Sequence, residues 1–167
     1  MRVTDKHVFF WGEWPSNWYK CHFTADGHEF FNSEQYFMWV KAKTFGDDEV
    51  AEEILKKGKN PKTAKALGRK VKNYDDKIWD EKRYGVMVQA NMYKYSQNEE
   101  LKALLLNEEL RDKNFVEASP YDGIWGIKLI EDNPDADDET KWKGQNLLGK
   151  ALDEVRTWLL EQEKNKK

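Results

Sequence analysis

The sequence predicts an α+β fold, a single mainly helical domain with a few short β-strands. Three observations predict it. The first thirty residues alternate short aromatic runs with an Asp-Gly turn signal. Most of the remainder recurs at helical spacing between recognisable caps. The chain's 167 residues fit one domain, able to bury roughly two thirds of its unfolded surface, and no repeat, linker or composition shift marks a second.

The elements follow in order. Residues 7–11 are the first strand candidate. Residues 21–24 and 28–31 flank Ala25-Asp26-Gly27, whose Asp-Gly pair suits a hairpin turn. Asn32, followed three residues on by Gln35, is a variant of the capping box, with Ser33 as the alternative cap. It opens a helix from about 33 to 44, ending near Gly46. A second helix, 47–57, begins on acids and ends on lysines at Gly58, as the helix dipole prefers. Asn60-Pro61 pairs a cap with proline at the first helical position and starts a third helix to about Val71. Asp75 or Asp76 caps a long helix to about Tyr95, with Ile78, Trp79, Val86, Ala90 and Tyr93 as inner positions. The helix from Glu99 to about Leu106 turns Leu101, Leu104 and Leu105 inward. Residues 114–118 and 124–130 read as short strands, and the acidic run after Ile130 as a loop. In the last helix Leu148, Ala151, Leu152, Val155 and Leu159 recur at helical spacing, Trp158 joins the core, and the helix stops near Glu161.

Composition narrows the function classes. Charged residues make up 35% of the chain and the hydrophobic set 39%, so the core is built from few but large side chains, among them eight Trp, seven Tyr and eight Phe. One cysteine, Cys21, excludes an internal disulfide and a cysteine zinc site and suits a reducing, cytoplasmic setting. There is no signal-peptide pattern and no apolar run of about 18–20 residues to span a membrane. The three histidines have neither i,i+4 partnering nor an HExxH context, so no metal site is expected. Net charge is −3, with 28 basic and 31 acidic residues, so no global field draws the chain to nucleic acid. Charge is nonetheless segregated. Residues 56–72 hold eight cations and no acid, and 131–139 hold six acids and no base. Such runs read first as solvated faces.

The densest chemistry lies in the first helix. Glu34 and Lys41 are seven residues apart, two helical turns, and project from one face. Glu34 sits in the first turn, where the dipole favours its ionised form. Lys41, beside Tyr36, Phe37, Met38 and Trp39, either snorkels outward or lies in a pocket with a lowered pKa. An ordinary surface ion pair is the competing reading.

The motifs PSNWY (15–19), SEQYFMWVKA (33–42), LGR (67–69), Trp79 with Arg83, VEASPYDGIWG (116–126) and GQNLLG (144–149) occur in this order. Together they closely resemble the NADAR family, the YbiA-like N-glycosidases, over about residues 9–160. Trp18 departs slightly from the family's smaller aromatic. The resemblance implies hydrolysis of N-glycosidic bonds joining ribose to an amino-bearing pyrimidine or purine. The implied substrates are a phosphorylated ribosyl-amine metabolite of early riboflavin synthesis or ADP-ribosylated guanine in nucleic acid, with no cofactor.

Such a reaction needs positive charge stabilised at the anomeric carbon, a task for Glu34. An uncharged Lys41 offers a second route, through a Schiff base. Asp122, in the turn-forming run after Ser119, is either an Asx turn or a general acid/base. Glu117 is a further carboxylate of that segment. Trp125, flanked by Gly123 and Gly126, has room for a flat ring to stack on it; a core tryptophan is the alternative. Arg69 is the preferred phosphate ligand, because guanidinium pairs with phosphate in bidentate fashion. Asn146 either caps the last helix or hydrogen-bonds base or ribose. The resemblance adds Arg83 and Gly126 to the substrate-binding set. A module that binds ADP-ribose or a nucleotide without turnover is the rival function.

Overall fold

The computed structural model describes residues 1–166. In chain order the strands are β1 (Arg2–Val3), β2 (His7–Phe10), β3 (Phe23–Ala25), β4 (His28–Phe30) and β5 (Asn114–Glu117), and the helices are α1 (Ser33–Thr44), α2 (Asp48–Lys57), α3 (Pro61–Gly68), α4 (Asp76–Ser96), α5 (Glu99–Leu105) and α6 (Leu147–Asn165). The α+β class and the helical bias are as the sequence predicts. Two compact units divide the chain. One is continuous, Asn17–Glu99; the other joins Met1–Ser16 to the part from Glu100 onward.

In the continuous unit β3 and β4 form an antiparallel hairpin pairing Phe23 with Phe30 and Ala25 with His28. Asp26 and Gly27 both take positive φ, 53° and 81°, as a two-residue turn of this twist requires. The hairpin's inward side chains, Phe23 and Phe30, meet Tyr36 and Trp39 of α1 in a buried aromatic cluster. Around it α1 packs on α2, α3 and α4. The start of α1 is fixed twice over. Asn32 Oδ1 accepts the Gln35 amide, while its Nδ2 donates to the carbonyls of Gly58 and Lys59. Gln35 Oε1 accepts the Phe31 amide, and its Nε2 donates to the Ile54 carbonyl. The capping box therefore also ties α1 to the α2–α3 connection.

In the discontinuous unit the sheet runs β1-β2-β5, with β2 and β5 parallel and His7 opposite Asn114. Phe9, Val116, Ala118, Ile127, Leu129 and Ala136 form its core, and α6 packs on β5. Arg156, 6% exposed, donates to the carbonyls of Leu110 and Lys113 and ties α6 to the segment before β5.

Several expectations are corrected. Residues 124–130 are not a strand. The amides of Ile124 and Trp125 are taken by Asp122 Oδ1, Lys128 has φ 61°, and the segment's carbonyls serve the 143–148 loop instead of a neighbouring strand. The third helix stops at Gly68 rather than near Val71, with Arg69 as its C-cap. The last helix runs past Glu161 to Asn165, its final turns held by Lys102 Nζ on Glu163 at 2.6 Å. Ile78, Leu104 and Trp158 are exposed, at 45%, 41% and 46%. The buried stripe of α4 runs through Trp79, Met87, Ala90, Asn91, Lys94 and Tyr95, and Ile78 lies beside that stripe. The 131–139 run is more than a solvated face, because Glu139 bonds the buried His7 at 2.8 Å and Asp137 pairs with Arg2.

Candidate active site

The continuous unit brings Glu34, Lys41 and Arg69 together. Glu34 lies in the first turn of α1 and is 7% exposed; its amide donates to the Asn17 carbonyl at 3.1 Å. Two turns on, Lys41 is half-buried, and desolvation pushes its pKa below the ordinary lysine value. The carboxylates of Glu34 and Asp76 oppose that shift, and the Arg69 guanidinium adds to it. Two carboxylates and one guanidinium thus all act on the charge of Lys41.

Tyr74 completes the cluster. Its ring lies under the Lys41 amine, with Nζ 4.6 Å from the centroid, and the Asp76 carboxylate acts on its hydroxyl. Burial, then the Asp76 carboxylate, raises the phenol pKa. Asp75, not Asp76, caps α4 by accepting the amides of Lys77 and Ile78, which leaves the Asp76 carboxylate to the cluster. Arg83 pairs with Asp80 at 3.0 Å on the same helix, and both charges act on Tyr74. Sequence reasoning missed Tyr74 and saw Asp76 only as a cap. The available signal was an aromatic–acid run, Tyr74-Asp75-Asp76, just before a helix.

Arg69 is placed by close helix packing. Gly68 lies against Met38, where a Cβ would collide with the sulfur. Asp47 accepts the amides of Val50 and Lys72, which pins the chain just beyond Arg69 and holds the Asp47 carboxyl below its usual pKa. Arg69 itself is exposed. Among the described residues, Lys56, Lys57, Lys62, Lys65, Arg69 and Lys70 form no ion pairs.

Lys94, also missed, is fully buried in the same unit. Desolvation lowers its pKa to about 8, with the neighbouring Cys21 opposing, and its amine lies 5.0 Å from the Tyr95 ring centroid.

The other sequence-selected residues belong to the discontinuous unit, where β5 and the loop after it hold them. Asn146 occupies the N-cap position of α6, but its side chain makes no capping bond. It takes a left-handed conformation, φ 52°, and spans β5 instead, accepting the Glu117 amide and donating to the Phe115 carbonyl, each at 3.0 Å. Gly149 permits this approach, since a Cβ there would meet the Phe115 carbonyl. Gly126 is buried against the Glu117 carbonyl, and Gly144 against Gly126. Asp122 Oδ1 accepts the amides of Ile124 and Trp125 at 2.9 and 2.8 Å, the Asx turn that orders this loop. Glu117 and Trp125 are half-buried.

Among the described residues no group of three His, Cys, Asp or Glu side chains is placed to hold a metal ion, and no helix is long and apolar enough to cross a membrane.

The family model described as the NADAR domain matches residues 9–160. This chain belongs to the NADAR family. The NADAR chain is 40% identical over 166 residues to "N-glycosidase R617" of Acanthamoeba polyphaga mimivirus, covering 92% of this chain and 96% of the relative. It is 44% identical over 130 residues to "Protein irg-1" of Caenorhabditis elegans, covering 77% and 60%. To "N-glycosidase YbiA" of Escherichia coli it is 33% identical over 135 residues, covering 81% and 74%. The solved NMR structure of E. coli YbiA superposes with a TM-score of 0.76 at 28% identity, over 97% of this chain and 89% of the other. The NADAR match spans both compact units.

Proposed function

We propose that this NADAR protein is an N-glycosidase that hydrolyses an N-ribosyl bond to an amino-pyrimidine or guanine, and that residues 1–167 are a single NADAR domain. The relatives' names support the reaction class. The observation that carries the reading is the desolvated Lys41 amine, set among Glu34, Asp76, Arg69 and the Tyr74 ring. Desolvation makes the Lys41 amine give up its proton more readily, and in its neutral form it can attack the anomeric carbon once the sugar ring has opened, breaking its C1–O4 bond, to an imine. Its nitrogen forms a bond to that carbon, the base departs as its free amine with a proton, and water hydrolyses the lysine Schiff base to release the sugar. Glu34 stabilises the positive charge that develops on the sugar. Arg69 and the lysines around it suit a phosphorylated substrate, a ribosyl-amine phosphate or ADP-ribose on guanine. In this reading the family resemblance assigns Asp122 a further catalytic role and makes Glu117, Trp125, Gly126, Asn146 and Arg83 substrate-binding residues, and the protein works in the cytoplasm without a cofactor.

The test is incubation of the pure protein with a ribosylamino-pyrimidine phosphate and, separately, with an oligonucleotide carrying ADP-ribosylated guanine, assaying released sugar phosphate or ADP-ribose. Borohydride added during turnover is expected to trap a sugar adduct on Lys41, and Lys41→Arg should be nearly inactive. Binding of both substrates without release would leave a nucleotide-binding module. An active Lys41→Arg enzyme would remove the Schiff-base route.

A further inference from the structure

Two polar groups beside Glu34 are buried without satisfaction. Asn17 is 7% exposed and Ser33 fully buried, and Asn17 Oδ1 and Ser33 Oγ have no hydrogen-bond partner among the described residues. Both are tied to the same turn. The Asn17 carbonyl takes the Glu34 amide at 3.1 Å, and Ser33 is Glu34's neighbour at the first position of α1. Neither group serves as the helix cap, since Asn32 already accepts the Gln35 amide. Buried polar atoms are nearly always bonded, so two exceptions around one buried carboxylate call for a ligand that bonds them.

The chemistry of the three groups selects that ligand. The Glu34 carboxylate and Asn17 Oδ1 can only accept, and Ser33 Oγ can accept as well as donate. A phosphate brings only acceptors and would be repelled; its place is with Arg69. A sugar's neighbouring hydroxyls bring donors. Resting on the N-glycosidase reading, we propose that Asn17 Oδ1 and Ser33 Oγ are the contacts that recognise the ribose hydroxyls of the substrate next to Glu34. They are binding groups, and hydrogen bonds of this kind strengthen as the sugar gains positive charge in glycoside hydrolysis.

The test compares wild type, Ser33→Ala and Asn17→Leu by calorimetric binding of ribose 5-phosphate and its 2-deoxy and 3-deoxy forms, alongside thermal unfolding. Wild type should bind ribose 5-phosphate roughly tenfold or more tightly than at least one deoxy form, and the variants should lose most of that preference. Their melting temperatures should stay level or rise, because the folded protein forfeits no bond. A lowered melting temperature with sugar preference intact would show ordinary structural groups and overturn the proposal. So would a wild type that treats all three sugars alike, or variants that weaken all three equally. If Asn17→Leu fails to fold, Ser33→Ala and the wild-type preference decide. The binding readout is independent of bond cleavage: a protein that prefers ribose but cleaves neither substrate sinks the glycosidase reading and leaves this one standing.

Discussion

Each residue of the Lys41 cluster has a separable duty. Glu34 is expected to carry the electrostatic share, so Glu34→Gln, which keeps shape and removes charge, should lose turnover by about 10²-fold or more with little change in melting temperature. Steady-state kinetics check it, and near wild-type turnover removes Glu34 from the mechanism. Arg69 is exposed and, beyond the effect of its charge on Lys41, should act on the substrate's phosphate. Arg69→Ala should therefore weaken a phosphorylated substrate far more than its dephosphorylated counterpart, with added salt shrinking the gap. Equal losses on the two would move the phosphate site elsewhere. The pair Glu34 and Lys41 was legible because a helix of known register puts i and i+7 on one face. Tyr74 was not, because it reaches Lys41 from the turn before α4, and no periodicity links such a turn to another helix. Asn146 reads as a cap in sequence and serves β5 in the fold, since an asparagine's local and long-range bonds look identical on paper.

At the scale of elements, caps and turn signals located the hairpin and all the helix starts of the continuous unit. What they could not show is the second use of the same side chains. Asn32 and Gln35 fasten α1 to the α2–α3 connection as well as capping it. Asn32→Ala removes a cap bond and leaves the buried Gly58 carbonyl and the part-buried Lys59 carbonyl without their donor, so it should cost about 2–3 kcal/mol in denaturant unfolding, more than an ordinary cap. A loss within a few tenths would mean those carbonyls are readily solvated. The sequence misread 124–130 as a strand because its apolar spacing fits one, whereas the amides there are claimed by a carboxylate and a returning loop. It ended α6 early because the clamp on its last turns, Lys102 on Glu163, comes from α5.

At the scale of the whole molecule, the fully buried Lys94 carries an electrostatic cost. Its pKa is about 8 in the fold against 10.5 when solvated. Each pH unit of displacement is worth about 1.4 kcal/mol, so holding the charged form inside costs on the order of 3 kcal/mol. The unfolded chain binds the extra proton between these two values, so stability should rise as pH climbs from 8 toward 10.5 and be lost again as pH falls through 8. Melting curves of wild type and Lys94→Met across pH 7–10 should show their difference moving in the wild type's favour above pH 8; a constant difference would mean Lys94 titrates normally. The parallel pairing of β2 with β5, residue 7 beside residue 114, has a consequence in time rather than in energy. Contacts of such long sequence separation form slowly, since the chain must close a large loop before they are rewarded. On a ribosome β2, with only the short β1 beside it, must wait for β5 while the whole of Asn17–Glu99 is synthesised and free to fold around its own aromatic core. The earliest residues made are thus among the last to settle.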